Sequence, residues 1–390
     1  MRAPIRLLFA IILLPFLLLL RVVRRFLKVE LCVVGAHRFG HLALEPEVYL
    51  NLLKPQSGWS VSRTLTLWSF GRTKIQSSKE LASIWRREVG ISPGVLVGAL
   101  VRAGELCPPL ALSRASMSIH GPQNVLDVTS SRLAKQIRGL QSDVLQRLGL
   151  RSGEFVCLVI RDGTYYAQTG SSESAGYELL NFHSADFVDA CSRLVAKGLK
   201  VVRLGTPTPN RLGSIDGVID YANLTVRSEL NDLILIRECA FLVSTQTGPD
   251  AVGLALRKPV LYIDTVRLSQ FFFGTKLATW NPVGFINSET GKPLSLDQLL
   301  NSQFKWLKNP EEFLSSGFSF ERSSSSEIAE MVSSYVEERQ SGASLDVKSI
   351  RDEVNRRMTA AFGERGQLTW GDVTANLNGW WLMKNKDWFL

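Results

Sequence analysis

The sequence predicts an α/β protein in which parallel strands alternate with helices. Its strands are continuous apolar runs without alternation, as at 155–160, which is typical of parallel strands covered on both faces. Each such run is followed by a short polar loop and a segment with helical spacing. The stretch 228–264 shows this alternation most clearly, since it contains a helix, a strand, a loop, a second helix and a second strand. At 390 residues the chain is long enough for two such domains.

Composition indicates a folded protein with reduced thiols. Hydrophobic residues make up 45% and charged residues 21%, which suits a chain with a substantial core. The five cysteines are scattered without a C-x-x-C pair, and we expect them to be small core residues in a reducing compartment. His37 and His41 are closely spaced in sequence, but Gly40 between them interrupts a helical metal-binding face. The sequence therefore predicts no metal site.

The first residues predict a membrane-associated helix over 1–28. The apolar run 7–20 is flanked by basic side chains, namely Arg2, Arg6, Arg21, Arg24, Arg25 and Lys28. The run is short against the ~20 residues of a spanning helix, contains Pro15 and lacks a signal-peptide cleavage site. Two interpretations stay open, an uncleaved anchor that extends to Phe26 or a helix that lies in the membrane interface. Because more positive charge follows the run than precedes it, we expect the body at the cytoplasmic face of the cell inner membrane.

The net charge of +9 does not by itself indicate nucleic acid. The excess of basic residues is concentrated around the N-terminal apolar run, and the rest of the chain is nearly balanced. We therefore expect a membrane surface as a partner and no nucleic acid.

A strand, a loop and a helix follow the N-terminal segment. The strand is predicted at 29–34 and the helix at 42–50, with the loop 35–41 between them. The loop has the G-x-x-x-x-G spacing of a P-loop, but His41 and Leu42 stand where phosphate binding requires Lys and Ser or Thr. His41 is a candidate base or hydrogen-bond donor, and a histidine packed at a helix start is the alternative. The N-terminal half of the chain also contains a predicted strand at 60–70 and predicted helices at 77–88 and 130–149.

A composition break at 151–153 marks the predicted domain boundary. Buried strands are predicted at 155–160 and 200–204, with a helix between them. The first strand ends in Arg161 and the second ends with Arg203, shortly before Gly205. Charged side chains are rarely buried without a partner. Because the carboxyl ends of parallel strands share one edge, we expect these arginines to hold a common anion there.

The loop after the strand 240–244 supplies hydroxyl groups at the same edge. It carries Ser244, Thr245, Thr247 and Gly248 and leads into a helix. Hydroxyls and backbone N–H groups at a helix N-terminus favour an anion, most often phosphate. The same residue types are also ordinary loop and capping residues. Together with the two arginines, the loop favours a phosphate site.

The C-terminal part is predicted to pack back on this body or to contact lipid headgroups. A serine-capped amphipathic helix is predicted at 325–339. Beyond it, Trp380, Trp381, Trp388 and Phe389 form too much aromatic surface for a free tail.

Several stretches resemble a family of bacterial glycosyltransferases from surface-carbohydrate gene clusters. The matching segments are GHLALEPEVYL (40–50), FVCLVIRDGTYY (155–166), KVVRLG (200–205) and SELNDLILIRECAFLVSTQTGPDAVGLALRKPVLYID (228–264). The resemblance spans residues 30–340 and implies a GT-B fold, in which two Rossmann-like domains face each other across a cleft. It implies an acceptor domain at 29–150, a donor domain at 151–320, and C-terminal helices with the aromatic tail at 321–390.

The resemblance implies an enzyme that moves a sugar from a nucleotide-sugar donor to a surface-polysaccharide or glycolipid acceptor. The residues that match donor-binding positions are Arg161, Arg203, Gly205, Glu229, Asp232, Ser244, Thr245, Thr247 and Gly248. Arginines and a helix N-terminus neutralise a diphosphate leaving group, so neither a metal nor a cofactor is expected. Glu229 or Asp232 is expected to bind sugar or ribose hydroxyls. The alternative is that these acids only stabilise the N-terminus of their helix through its dipole. His41 is the first candidate for the base, and Asp162 is the second.

The sequence also departs from the family. Where the family has an aromatic-Arg-Asn-x-Asp pattern, this chain has FHSAD at 182–186. The departure fits an alternative, a catalytically inactive carbohydrate-binding or assembly protein that retains the fold. A sugar-nucleotide epimerase is a third alternative, against which the membrane helix counts.

Overall fold

The structure is a computed structural model that describes residues 3–52, 63–70, 77–114, 123–169, 180–268, 271–306, 312, 315–363 and 372–389. The chain divides into two compact units. Unit 1 comprises Met1–Gly121 and Lys135–Ile137, and unit 2 comprises Pro122–Ala134 and Arg138–Leu390. Each unit contains a parallel sheet, so the α/β class predicted from the sequence is confirmed.

The described strands are short and follow one another with helices between most of them. They are β1 (Leu27–Val33), β2 (Arg63–Ser69), β3 (Ser113–Arg114), β4 (Phe155–Val159), β5 (Lys200–Leu204), β6 (Val218–Ile219), β7 (Phe241–Ser244), β8 (Val260–Thr265), β9 (Ala278–Pro282), β10 (Gly284–Asn287), β11 (Phe318–Glu321) and β12 (Asn376–Leu377).

The described α-helices differ widely in length. They are α1 (Ala3–Val22), α2 (Phe39–Leu52), α3 (Lys79–Val89), α4 (Gly94–Leu106), α5 (Val125–Val128), α6 (Arg132–Ile137), α7 (Val144–Arg147), α8 (Thr164–Thr169), α9 (Val188–Ala196), α10 (Glu229–Glu238), α11 (Gly248–Ala255), α12 (Leu296–Asn301), α13 (Ser325–Ser341), α14 (Leu345–Gly363) and α15 (Gly379–Lys384).

Unit 1 contains a three-stranded parallel sheet in the order β2-β1-β3. β1 and β2 pair in register, with Leu31 opposite Leu67. α3 begins at the serine cap that the sequence predicts, since the side chain of Ser78 accepts a hydrogen bond from the N–H of Leu81 at 3.2 Å. α2 follows β1 after a short loop, and this connection places His41 at a strand–helix junction.

Unit 2 contains a seven-stranded sheet in the order β12-β9-β8-β7-β4-β5-β6, and its strand pairs are parallel. Every residue of β4, β7 and β8 is buried. This burial on both faces explains the continuous apolar runs in the sequence. Separately, β10 and β11 form an antiparallel pair.

The C-terminal segment adds to unit 2. β12 extends the sheet beside β9, and Trp381 and Leu382 of α15 are buried. The Nε of Arg351 in α14 donates to the carbonyl of Leu377 at 2.6 Å, which connects that helix to β12. Arg193 of α9 forms an ion pair with Glu330 of α13 at 2.6 Å, so α13 lies against the same unit.

Two segments differ from the sequence prediction. The helix expected over 130–149 is divided into α6 and α7, and Ser142 lies in the segment between them. Its hydroxyl accepts from the N–H of Val144 at 3.0 Å and donates to Asn231 at 2.6 Å. α4 was not predicted, since its sequence GVLVGALVRAGEL mixes glycine with apolar residues. A side chain at Gly104 would lie 2.9 Å from the Cα of Ala111, so close packing requires glycine there.

The division into units falls before the boundary predicted at 151–153. Most of the intervening segment belongs to unit 2, because its polar groups bond to that unit. The Nε of Arg257 donates to the carbonyl of Thr129 at 3.0 Å, and the hydroxyl of Thr275 donates to Asp127 at 2.6 Å.

Four of the five cysteines are buried, so the prediction that they are core residues is confirmed for these four. Within the part of the chain that the structure describes, no helix combines the length and apolar character needed to cross a membrane.

Candidate functional site

The loops after β4 and β7 meet at the carboxyl edge of the unit 2 sheet. β4 and β7 are neighbours, and the N–H of Thr245 donates to the carbonyl of Val159 at 3.2 Å. In return, the N–H of Arg161 donates to the hydroxyl of Thr245 at 2.8 Å. Arg161 is 8% exposed, so the residue that contacts this loop through its backbone is nearly buried. The structure therefore brings together two of the residues predicted for the anion site.

Asp250 shapes the loop that the sequence assigned to phosphate. Its Oδ2 accepts hydrogen bonds from the hydroxyl of Ser244 at 2.8 Å and from the N–H of Thr247 at 2.6 Å. Thr247 is the N-cap of α11 and forms a capping box with Asp250. The side chains of Ser244 and Thr247 thus hold the loop in place. Thr245 is buried, and Gly248 is the first residue of α11. Gln246 has a φ of 58°, which an ordinary side chain rarely adopts.

Burial raises the pKa of Asp250 from 3.8 to about 7, even though its hydrogen bonds oppose the shift. In the folded protein this carboxyl therefore keeps its proton over a pH range in which the unfolded chain has lost it. Folding takes up a proton in that range, so the contribution of Asp250 to stability falls as the pH rises from about 4 to about 7.

We expect Asp250→Asn to remove this pH dependence. The amide oxygen of asparagine can accept from the same two donors, so the loop should keep its shape. The free energy of unfolding of the variant, measured by urea titration at several pH values between 4 and 8, should fall less steeply than that of the wild type. Asp143→Asn at an exposed position is the control and should leave the slope unchanged. Parallel curves for wild type and Asp250→Asn would contradict the assignment.

Arg203 lies in an ion-pair network inside unit 2. It is 2% exposed, and its Nη1 and Nη2 lie 3.1 Å from Asp220 and 3.2 Å from Asp162, respectively. Asn223 donates to the second oxygen of Asp220 at 3.1 Å. The other oxygen of Asp162 accepts from the N–H of Thr164 at 3.1 Å. Arg203 and Asp162 therefore bind each other, which favours a structural role over the predicted roles in donor binding and base catalysis.

The remaining predicted donor residues lie around the start of α10. The carbonyl of Gly205 accepts from Arg227 Nε at 2.8 Å, and Arg227 Nη2 lies 3.2 Å from Asp232. Gly205 has a φ of 134°, a conformation that favours glycine. Burial raises the pKa of Asp232 to about 6. Glu229 and Asp232 are both half-buried, so exposure does not distinguish the two predicted acids.

Sequence reasoning missed Arg267. It stands two residues after the end of β8 (267 − 265), just as Arg161 stands two residues after the end of β4 (161 − 159). Its positive charge acts on Asp250, which places it near the start of α11. The neighbouring N–H of Val266 donates to the side chain of Gln246 at 3.3 Å. The rule that identified Arg161, a cation just beyond a buried strand, would also have identified Arg267.

Asp264 was also missed, and it fixes the end of β8. It has a φ of 50° and is buried. Its carboxylate accepts from Asn281 at 2.8 Å and from the hydroxyl and N–H of Ser323 at 2.6 and 2.8 Å. These bonds tie β8 to the residue before the N-cap of α13, so Asp264 supports the same edge of the sheet.

In unit 1, His41 forms a pair with Glu45 one helical turn later. The Nδ1 of His41 lies 2.8 Å from Glu45 Oε1, and Glu45 Oε2 accepts from the N–H of Gly35 at 2.9 Å. Gly35 allows this close approach, since a side chain there would lie 3.1 Å from the Cβ of His41. A carboxylate bound to one ring nitrogen orients the imidazole and leaves the other nitrogen to exchange protons. Glu45 was not predicted, although its i+4 spacing from His41 on one helix is visible in the sequence.

Among the described residues, no group of three or more His, Cys, Asp or Glu side chains has the arrangement of a metal site.

No protein-family model matches the chain, and no curated protein matches it. Several solved structures are similar. E. coli heptosyltransferase WaaC with ADP-2-deoxy-2-fluoro heptose is 9% identical, with a TM-score of 0.31 over 61% of this chain and 88% of that chain. S. aureus MnaA with UDP is 9% identical, with a TM-score of 0.33 over 81% and 97% of the two chains. UDP-GlcNAc 2-epimerase from Neisseria meningitidis, bound to UDP-GlcNAc, is 10% identical, with a TM-score of 0.33 over 81% and 100%.

These structures include both enzyme classes that the sequence brought into consideration, the glycosyltransferases and the sugar-nucleotide epimerases. At such identities and TM-scores, the similarities assign neither an activity nor a residue role to this chain.

Proposed function

We propose that the protein is a glycosyltransferase that moves a sugar from a nucleotide-sugar donor to a glycan or lipid-linked acceptor. The observation that supports the proposal most directly is the joined pair of loops after β4 and β7. In these loops the backbone N–H of Arg161, a nearly buried residue, donates to Thr245, which stands three residues before the start of α11 (248 − 245). Arg267 adds a second cation after β8.

The chemistry of sugar transfer explains why these groups would be needed. When the bond between the anomeric carbon and the donor phosphate breaks, the leaving diphosphate gains negative charge. Arg161, Arg267 and the N-terminus of α11 would stabilise that charge. Guanidinium groups can do this without a metal, and we propose that none is required. Arg203 is not included, because two carboxylates already bind it.

We further propose that His41 is the base. The hydroxyl oxygen of the acceptor would attack the anomeric carbon, and its proton would pass to Nε2 of His41. Glu45 would hold the ring through Nδ1 and stabilise the imidazolium that forms. Asp162 is the weaker candidate, since both its oxygens already accept hydrogen bonds or ion pairs.

The test begins with thermal unfolding of the full chain in the presence of UDP-, GDP-, CDP-, dTDP- and ADP-sugars. We expect one nucleotide class to raise the unfolding temperature, and its sugar to be transferred or hydrolysed in the presence of EDTA. Arg161→Met should then lower kcat/KM by ~10²–10³-fold, because a donor to the developing charge is lost. Arg193→Met, at a partly exposed arginine of the same unit, is the matched control and should have little effect.

The proposal fails if no nucleotide sugar stabilises the chain or if Arg161→Met turns over like the wild type. Binding without turnover would indicate the inactive carbohydrate-binding protein instead. Interconversion of two free nucleotide sugars would indicate an epimerase. If EDTA abolishes transfer and a divalent metal restores it, the proposal that no metal is required is wrong, and the proposal of sugar transfer stands.

A further inference from the structure

One stripe of α1 is part of the core of unit 1. Leu17 and Leu20 are buried, and Leu13 and Leu14 pack beside them. Leu13, Leu17 and Leu20 stand four and three residues apart, which is the spacing of one helix face. The stripe contacts residues of β1 and α4, namely Val29, Leu31, Val97, Leu100 and Ala103. Residues 13–20 of α1 are therefore held on the body of unit 1.

Between residues 11 and 20, the rest of the α1 surface is apolar but exposed. Large hydrophobic side chains with exposures between 47% and 71% lie along α1 and the turn after it, namely Ile11, Ile12, Phe16, Leu18, Leu19, Val22 and Phe26. The outward face of a helix packed on a water-soluble body is normally polar. A continuous apolar patch of this kind marks an interaction surface.

Basic side chains border this patch. Arg21 and Arg24 are exposed, and Arg21 also donates to the carbonyl of Pro109. Lys28 is about half-exposed and forms an ion pair with Glu30 at 2.6 Å. No acidic residue precedes Glu30 in the sequence. Cations at the edge of an apolar face suit the phosphates of anionic lipids, whereas a second copy of the chain would bring these cations together.

We infer that α1 lies in the plane of an anionic lipid bilayer, with its exposed apolar face at the boundary between headgroups and acyl chains. Arg21, Arg24 and Lys28 then contact lipid phosphates. α1 does not cross the membrane, because a crossing helix would have to withdraw Leu17 and Leu20 from the core and expose Val97 and Leu100. The inference is independent of the proposed sugar transfer.

Flotation of the full chain with vesicles tests the inference without any activity assay. We expect binding to phosphatidylcholine vesicles that contain phosphatidylglycerol, little binding to phosphatidylcholine alone, and weaker binding as salt is added. Phe16→Glu and Leu19→Glu should each lower the partition coefficient roughly tenfold or more. Arg24→Gln and Lys28→Gln should each lower the partition coefficient about fivefold for the vesicles that contain phosphatidylglycerol. For phosphatidylcholine alone they should leave it unchanged. Val128→Glu and Leu345→Glu are matched controls, since these apolar side chains are 83% and 82% exposed in unit 2.

Three outcomes would overturn the proposed contact with the bilayer. The wild type does not float with anionic vesicles; the α1 variants bind as well as the controls; or the patch instead mediates a dimer that Phe16→Glu dissociates. Resistance of the bound protein to extraction with alkaline carbonate would show that α1 crosses the bilayer, and would overturn its placement in the plane.

Discussion

Replacement of His41 by glutamine should lower kcat for sugar transfer by ~10²–10⁴-fold, which is the usual contribution of a positioned general base. The KM for the donor should change little, because the proposed donor-binding groups lie in unit 2. The measurement is steady-state transfer with the nucleotide sugar identified by thermal unfolding. In His41→Ala, added imidazole should restore part of the activity, since it can take the proton in place of the missing side chain.

Glu45→Gln should lower kcat roughly tenfold or more, because a neutral amide neither fixes the tautomer of His41 nor stabilises the imidazolium. The amide retains an acceptor for the N–H of Gly35, so the thermal unfolding temperature should stay close to that of the wild type. A fall in kcat with an unchanged donor KM distinguishes a positioning residue from one that only supports the fold.

His37→Gln is the matched control for both variants. His37 lies four residues from His41 and is exposed, and no role in transfer is proposed for it. Its kcat should stay within about twofold of the wild type. If His41→Gln transfers sugar at the wild-type rate, the base is elsewhere, and the pair with Glu45 only stabilises the start of α2.

The sequence predicted the elements of unit 2 well, because their signals are local. Buried parallel strands appear as apolar runs, and Ser228 as N-cap and Pro259 before β8 mark the flanking boundaries. The meeting of Arg161 with Thr245 could also be predicted, since neighbouring parallel strands present their carboxyl ends at one edge.

The charge partners could not be predicted. Asp220, which binds Arg203, lies beyond an irregular stretch with no periodicity to place it. In the sequence, Asp250 has the pattern of an ordinary residue in the first turn of a helix. In the structure, its carboxyl group accepts hydrogen bonds from the hydroxyl of Ser244 and the N–H of Thr247. A sequence shows which groups are charged, but their partners depend on distances that only the folded chain fixes.

Arg203→Met should destabilise unit 2 by ~3–5 kcal/mol, because it leaves the mostly buried carboxylates of Asp162 and Asp220 near each other without their cation. Urea unfolding followed by circular dichroism measures the loss. Arg147→Met is the matched control, since it removes an exposed ion pair with Asp143 and should cost about 0–1 kcal/mol.

A triple variant separates the loss of a buried ion pair from the loss of side-chain packing. Arg203→Met combined with Asp162→Asn and Asp220→Asn removes all three charges, and most of the stability should return, because no buried charge is left without a partner. Donor binding by the triple variant, measured by the thermal shift, should be close to that of the wild type. If Arg203→Met is instead as stable as the wild type but loses donor binding, Arg203 contacts the diphosphate, and the anion site includes both arginines that the sequence predicted.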